Sequence, residues 1–452
     1  MRKKKGKQKV LLYTIRNQKK LIRNAKKRVK KSAPGCSGNT IVVDDFLGSD
    51  YNRVIRHLNN KNFHPKKKFQ RGEAYQRIEI PEVFSISENA EAAIELLRKT
   101  YSLCSNRKIR EIKFDHSNCK SLGLSASTIM DIIVLAVNKY REKSGDPIDF
   151  SGDLPRDRKA RDILLASGLP YHLKADSLMQ FDKDHVERFE TIKGVHSISA
   201  NKADETATKL TIYFNKCLKT QNLELNNEGK RVLGRMLGEV ISNCEIHGGD
   251  SSTWYTQGHY QIKEDNSYGE MQLLFLNLGE TIYEGLKNKS TSAETKQKLC
   301  YIMKKQRQYI NRRWDEEMIY TVFALQEGIS RLRDKRINGY EGRGSGTVSM
   351  IEMFNDIGES QSGLKPQMSI VSGSTQIVFT DNYKMKPVMF KNDAVFETGE
   401  KQIIAFNDKN DIYAPANPKN VIKMNQYFPG TVISLKFYLD SRYIISKKKE
   451  VR

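Results

Sequence analysis

A glycine-rich loop in the C-terminal half has a composition suited to holding phosphate. Gly342, Gly344 and Gly346 alternate with other residues, and an apolar helical stretch ending near Phe354 follows them. Such a loop exposes backbone N–H groups at a helix N-terminus, where they suit phosphate oxygens. Taken alone the signal is weak, because most glycine loops are simply turns.

A predicted helix over Glu228–Ile246 carries a second set of polar residues. Arg235, Glu239 and Asn243 recur at i, i+4 and i+8, so a carboxylate and a carboxamide lie one helical turn apart. His247-Gly248-Gly249 should end the helix. The predicted buried stripe consists of Val232, Leu233, Met236, Leu237, Val240, Ile241 and Cys244. The alternative interpretation of the polar set is an ordinary solvated helix face.

Two further glycine turns adjoin predicted strands. The apolar stretch Phe275–Leu278 leads into Gly279, and Gly430-Thr431 opens the final predicted strand. Each turn is weak evidence of function by itself, and their order along the chain gives them weight.

Together these segments resemble the GHKL ATPase superfamily, which includes histidine-kinase catalytic domains, gyrase B and anti-sigma-factor kinases. The resemblance covers roughly residues 200–440, with Glu239 and Asn243 in the N box and the three glycine turns in the glycine boxes. It implies a Bergerat-type α/β sandwich that binds ATP with Mg²⁺. Asn243 would be the Mg²⁺ ligand and Glu239 the catalytic base or water-positioning group. The implied nucleotide-binding residues are Asn243, Asn277, Gly279, Gly342, Gly344, Ser345, Gly346, Thr347 and Thr431.

The sequence departs from the family pattern in the first glycine box. Asn277 stands where the family has an aspartate that accepts a hydrogen bond from adenine. A carboxamide oxygen can still accept that bond, but its NH₂ can donate instead, which weakens the inferred selectivity for adenine. The second glycine of the box is also absent, with Thr281 and Ile282 in its neighbourhood. The long segment 285–340 would be an enlarged ATP lid.

Residues 84–180 loosely resemble STAS domains such as the anti-sigma-factor antagonists. The segment from Ile112 to Leu124 follows a predicted strand and opens a helix, and Ser121 lies nearest the serine that is phosphorylated in the antagonists. The alternative is that Ser121 or Ser117 only caps the helix.

The elements that must position these residues alternate along the chain, which predicts an α/β module followed by an α+β domain. The predicted strands of the first part are Arg77–Val83, Ile109–Phe114 and Ile148–Phe150. Its predicted helices are Glu88–Ser102 with Ser87 as N-cap, Ser125–Tyr140, and Arg156–Ser167 ended by Gly168. For the second part we predict helices at Ala203–Leu218 and 290–335, and strands at Tyr260–Glu264, Met271–Leu276, 368–371, 375–379 and 431–438.

This pattern divides the chain into segments. Residues 1–33 form a basic arm, 34–83 a linker that includes a short lysine-rich segment, 84–180 the STAS-like module, 181–445 the GHKL domain and 446–452 a basic tail. The arm carries 15 lysines and arginines and no acid, within a chain of net charge +24. Such a block favours a polyanion, and nucleic acid bound without sequence preference is the expected partner. A solvated tail is the alternative.

Composition predicts a cytoplasmic protein that does not span a membrane. The longest apolar run, Ile129–Val137, contains Asp131 and is far shorter than the about 20 residues that a bilayer requires. The six cysteines form no CxxC pair or zinc spacing and are expected to be reduced.

Three functions fit these features. The first is an ATPase switch in a multiprotein or nucleic-acid-associated system, such as defence or stress response. The second is an anti-sigma-type serine kinase acting on a STAS serine. The third is a nucleotide-binding scaffold that does not hydrolyse ATP. Besides ATP, we expect a protein partner.

Overall fold

The computed structural model describes residues 13–14, 50–64, 74–172, 184–195, 201–249, 252–263, 265–329, 346–357 and 363–441. The described residues form two compact units. One comprises those within 1–55 and 64–184, and the other those within 56–63 and 185–452.

The first unit is an α/β layer around a short, mainly parallel sheet. In chain order its elements are β1 (Tyr13–Thr14), α1 (Tyr51–Leu58, of which residues 51–55 belong to this unit), β2 (Tyr75–Glu79), β3 (Val83–Phe84), α2 (Ile86–Ser105), β4 (Glu111–Asp115), β5 (Ser121–Leu122), α3 (Leu124–Lys143), β6 (Asp149–Asp153), α4 (Arg158–Ser167) and α5 (Leu169–His172). The main sheet has the order β1-β6-β4-β2, in which β2, β4 and β6 are parallel and β1 is antiparallel to β6. Strands β3 and β5 form a separate parallel pair.

The two long helices of the first unit begin at residues that the sequence did not indicate. Helix α2 is capped by Ser85, whose Oγ accepts a hydrogen bond from the Glu88 N–H, so the prediction of Ser87 as the cap is wrong. Helix α3 begins after Gly123 without a side-chain cap, so neither Ser117 nor Ser121 caps it. Gly123 stands there because a Cβ would lie 2.9 Å from Ser85 Oγ.

The second unit is built on a five-stranded antiparallel sheet of order β10-β13-β9-β8-β7. Its strands are β7 (Val186–Val195), β8 (Thr253–Ile262), β9 (Gly269–Leu278), β10 (Gln367–Phe379) and β13 (Val421–Leu439). The hairpin β11 (Lys386–Asp393) and β12 (Glu397–Ile403) stands apart. The helices are α6 (Lys202–Lys219), α7 (Asn227–His247), α8 (Ile282–Lys287), α9 (Ala293–Gln306), α10 (Glu316–Phe323) and α11 (Gly346–Ile357).

Apolar residues from helices and strands share one core in this second unit. Helix α6 packs along α7, and α11 packs against α7 as well. Phe214 of α6 stacks on Phe437 of β13 with ring centroids 5.7 Å apart, and Leu237 and Ile241 of α7 belong to the same buried cluster as Phe275 of β9. The part of the sheet that carries Asn277 and Thr431 therefore shares a core with the helix that carries Asn243.

The expected class is confirmed at the coarse level: both units mix helices with sheets, and the chain contains parallel and antiparallel strands. Strands β7, β11 and β12 were not predicted, and β10 is one strand where two were expected. In the basic arm, Tyr13 and Thr14 pair with β6 as a strand, although the apolar spacing of the arm is helical; the rest of residues 1–33, and the tail 446–452, lie outside the described residues. No helix among the described residues is long and apolar enough to cross a membrane.

Candidate functional site

Helix α7 places Glu239 and Asn243 at the border between its buried and its exposed side. Leu237, Val240, Ile241 and Cys244 are buried, while Glu239 and Asn243 are both half-buried. Val232 was expected in the apolar stripe, and that prediction is wrong: its side chain is 55% exposed. In a helix with 3.6 residues per turn, residues i, i+7 and i+11 lie on the same side. Val232 therefore lies on the same side of α7 as Glu239 and Asn243, at the border of the buried surface.

The C-terminal end of α7 meets the end of β9. The helix ends at His247, one residue beyond the predicted Ile246, with Gly248 as its C-cap. The Gly248 carbonyl accepts a hydrogen bond of 2.8 Å from the Glu280 N–H. A Cβ on Gly279 would lie 2.1 Å from that carbonyl oxygen, so only glycine allows the two backbones to approach this closely.

Asn277 lies in β9 just before this contact and is 4% exposed. Its Nδ2 is 3.5 Å from the Glu280 carbonyl oxygen, and a Cβ on Gly248 would come within 2.9 Å of the same nitrogen. The amide nitrogen is thus turned toward the end of α7. The other side-chain atom, Oδ1, can accept a hydrogen bond from a ligand.

Strand β13 brings Gly430 and Thr431 to the same place. Thr431 is the ladder partner of Asn277, and Gly430 pairs with Leu278. A Cβ on Gly430 would lie 2.0 Å from the Asn277 carbonyl oxygen, which explains the glycine. The Thr431 hydroxyl lies 3.0 Å from the Ser372 hydroxyl of β10.

Ser372 was not predicted from the sequence, and it ties three elements together. Its Oγ accepts a hydrogen bond of 2.8 Å from the Ile282 N–H at the start of α8 and donates one of 3.2 Å to the Gly430 carbonyl. The next residue, Gly373, has φ +60° at a break in the β10–β13 register. A glycine inside an apolar strand was the signal that could have drawn attention to this point.

A carboxylate from the predicted lid also reaches this bulge. Glu317 of α10 accepts a hydrogen bond of 2.6 Å from the Ser374 N–H through Oε1. Burial raises the pKa of the Glu317 carboxyl, and the Ser374 N–H opposes that shift. Described parts of the lid, including Leu286 and Trp314, are buried in the core of the unit.

Thr281, where a second glycine of the first box was missing, begins helix α8. Its hydroxyl accepts from the Glu284 N–H at 3.1 Å while the Glu284 carboxylate accepts from the Thr281 N–H at 2.9 Å, a complete capping box. Tyr427 of β13 donates to the same carboxylate at 3.0 Å. Burial raises the pKa of Tyr427, and the Glu284 charge adds to the shift.

The glycine-rich loop is described only at its end. Gly346 and Thr347 begin α11, which packs on α7, whereas Gly342, Gly344 and Ser345 lie outside the described residues. The start of α11 therefore belongs to a helix that contacts the one carrying Glu239 and Asn243.

The candidate metal ligand at this site, the side-chain oxygen of Asn243, suits Mg²⁺ better than a metal ion that only protein side chains bind. No group of three His, Cys, Asp or Glu side chains within the described ranges could hold a metal ion. Mg²⁺ usually takes one or two protein oxygens and completes its shell with water and phosphate oxygens. Asn243 offers one such oxygen from a half-buried position, so the residues present fit the group.

Three of the buried thiols are unsuited to act as nucleophiles. Burial raises the pKa of Cys104 and Cys244 to about 12 and that of Cys119 to about 11, which keeps these groups protonated.

Ser121, the serine of the predicted STAS-like module, lies in the first unit. Its hydroxyl donates a hydrogen bond to Glu88 Oε2 at 3.1 Å.

No protein-family model matches the sequence. Neither a curated protein nor a solved structure matches it.

Proposed function

We propose that the second unit binds ATP with Mg²⁺ in the manner of the GHKL ATPases and uses hydrolysis as a conformational switch. One observation carries the proposal. Gly248, Asn277 and Gly430, which are far apart in the sequence, meet within a few ångströms at the end of β9. The order of these segments and the packing of α11 on α7 are what a Bergerat-type sandwich requires.

In this proposal the chain's own residues hold the nucleotide at both ends. Asn277 Oδ1 accepts from the adenine amine, with Thr431 beside it on the next strand. The backbone N–H groups from Gly342 to Thr347 take the phosphates at the start of α11. Mg²⁺ on Asn243 would neutralise charge on the phosphate oxygens.

Glu239 would activate the attacking water. It lies one turn before Asn243 on the same border of α7, so its carboxylate is placed to accept a proton near the metal ligand. The half-buried position excludes part of the solvent, which strengthens each charge interaction there.

The switch would act through the contacts that surround Ser372. This hydroxyl joins β10, β13 and the start of α8, and Glu317 joins α10 to the neighbouring bulge. Loss of a phosphate would change the contacts of α11 and the lid, and the population of their arrangements with it. A protein partner would bind the two arrangements with different affinity. The STAS-like first unit and the basic arm would help to recruit that partner.

Phosphate release by the full chain tests the proposal. Glu239→Gln should lower the turnover about 10²–10⁴-fold and leave ATP affinity unchanged, because a positioned general base contributes that much. Glu228→Gln is the matched control, since Glu228 lies on the same helix in an exposed pair with Arg231 and should not affect turnover.

Two outcomes would favour the alternatives. Phosphate found on a serine of the protein or its partner, instead of free phosphate, would support a serine kinase. Tight ATP binding without any phosphate transfer would support a non-hydrolysing scaffold.

A further inference from the structure

The last turn of α9 and the connection from α9 to α10 carry a dense group of positive side chains. We define the basic loop as residues 304–313, which contain five cations: Lys304, Lys305, Arg307, Arg312 and Arg313. All five are exposed. No acidic residue occurs between Glu294 and Asp315, so the sequence offers these charges no local neutralisation.

The surrounding structure leaves this charge uncompensated. Within the part of the chain that the structure describes, none of the five cations forms a salt bridge. The acids that follow the loop are engaged elsewhere: Asp315 pairs with Lys423 at 2.6 Å, Glu316 accepts from Tyr283 at 2.9 Å, and Glu317 accepts from the Ser374 N–H. Like charges held this close repel each other, so the loop favours a polyanion.

Buried side chains hold the basic loop in a fixed shape. Trp314 is 5% exposed, and its Nε1 donates to Gln306 Oε1 at 2.7 Å. Gln306 Nε2 in turn donates to the Ile412 carbonyl at 2.7 Å. Asn311 closes the tip, where its N–H donates to the Trp314 carbonyl at 2.9 Å. A ligand would therefore meet a preorganised surface that needs little further ordering.

Apolar side chains stand among the charges. Tyr309 is 38% exposed and Ile310 is 41% exposed, between Arg307 and Arg312. An exposed ring flanked by cations combines the two features of a surface for single strands, charge for the backbone and a face on which a base can stack. A duplex keeps its bases stacked inside and would leave this ring unused.

We propose that the basic loop binds single-stranded nucleic acid, with its cations on the phosphates and Tyr309 stacked on a base. This surface is distinct from the basic arm. It belongs to the segment predicted as the ATP lid, but the proposal does not require that ATP binds.

The test compares two variants of the full chain that have the same net charge. The first replaces Lys304, Lys305, Arg312 and Arg313 with glutamine. The control replaces four exposed lysines elsewhere on the second unit, Lys386, Lys391, Lys409 and Lys419, with glutamine. Fluorescence anisotropy with a labelled oligothymidylate of about 20 nucleotides, which exceeds a typical single-strand site, reports the affinity at several salt concentrations.

The loop variant should bind about tenfold or more weakly, and its log–log salt slope should fall by about 0.7 for each phosphate that it no longer neutralises. The control should change less than about twofold, because its four lysines lie outside the basic loop in the sequence. Equal affinities for both variants would overturn the proposal, since they would show that only the overall charge matters. A loss of ATP affinity with unchanged oligonucleotide binding would also overturn it and assign the cations to the nucleotide.

Substitutions of Tyr309 distinguish binding to a single strand from binding to a duplex. Tyr309→Ala should weaken binding to the oligothymidylate about 5- to 150-fold, the range measured for one stacked base, while Tyr309→Phe should retain it. Binding to a duplex of similar length should be insensitive to both changes. An equal effect on duplex and single strand, or no effect on either, would overturn the assignment to single strands.

Discussion

Gly279 and Gly248 approach each other so closely that a Cβ on Gly279 would lie 2.1 Å from the Gly248 carbonyl oxygen. This contact joins the end of the helix that carries Glu239 and Asn243 to the end of the strand that carries Asn277. The Glu280 N–H bond to the same carbonyl completes the junction. The relative placement of the candidate metal ligand and the candidate base-binding residue thus depends on two glycines.

Gly279→Ala should therefore destabilise the protein by about 1–3 kcal/mol, the usual cost of overpacking. Gly238→Ala is the control on the same unit. A Cβ there would meet Ala207 Cβ at an ordinary 3.7 Å, and alanine is favoured over glycine inside a helix by about 1 kcal/mol. Urea unfolding should show opposite signs for the two variants. A neutral Gly279→Ala would mean that the junction can open without cost.

Ser372→Ala should also lower stability, by about 1–3 kcal/mol, because it leaves the Ile282 N–H and the Gly430 carbonyl without this partner. Ser374→Ala keeps the backbone N–H that contacts Glu317 and should change stability by less than about 0.5 kcal/mol. Thermal unfolding of both variants measures the difference. Equal melting temperatures would show that the Ser372 hydroxyl does not hold β10, β13 and α8 together.

A buried histidine should make the stability of the first unit depend on pH. Burial lowers the pKa of His116 from 6.5 to about 4. The unfolded chain therefore binds a proton that the folded chain refuses, and stability falls as the pH falls from about 6.5 to about 4. The full loss corresponds to roughly 3 kcal/mol.

Buried Asp131, whose pKa is raised by burial, acts in the opposite direction over part of this range. The quantity to measure is thus the difference in unfolding free energy between wild type and His116→Gln at pH 7 and pH 4.5. The variant should lose less stability than wild type on acidification. The same loss in both proteins would contradict the role of His116.

The sequence predicted the elements whose apolar residues recur with a clear periodicity. Helices α2, α3 and α7 were found because apolar residues recur at helical spacing over several turns. Strand β7 was missed because a register break between Phe189 and Ile192 interrupts its alternation. Strands β11 and β12 were missed because only Ile403 among their 15 residues is buried, so no apolar face marks them in the sequence. The bulge at Gly373 made the single strand β10 look like two.

The candidate site was predictable as a set of motifs but not as a set of contacts. Glycine spacing pointed to Gly279 and Gly430, yet nothing local in the sequence pairs them with Gly248 or Asn277, because those contacts depend on strand order. Ser372 and Glu317 were missed for the same reason: each acts through a partner tens of residues away. Val232 was misplaced because apolar character was taken to mean burial, which does not hold for single surface residues.

Calorimetry with ATP tests the central claim most directly. Wild type should bind ATP only when Mg²⁺ is present, and Asn243→Ala should bind at least about tenfold more weakly, since it removes a metal ligand. Asn227→Ala, the same change at the exposed start of the same helix, should bind like wild type. Wild type that binds no ATP, or a folded Asn243→Ala that binds as tightly as wild type, would contradict the account.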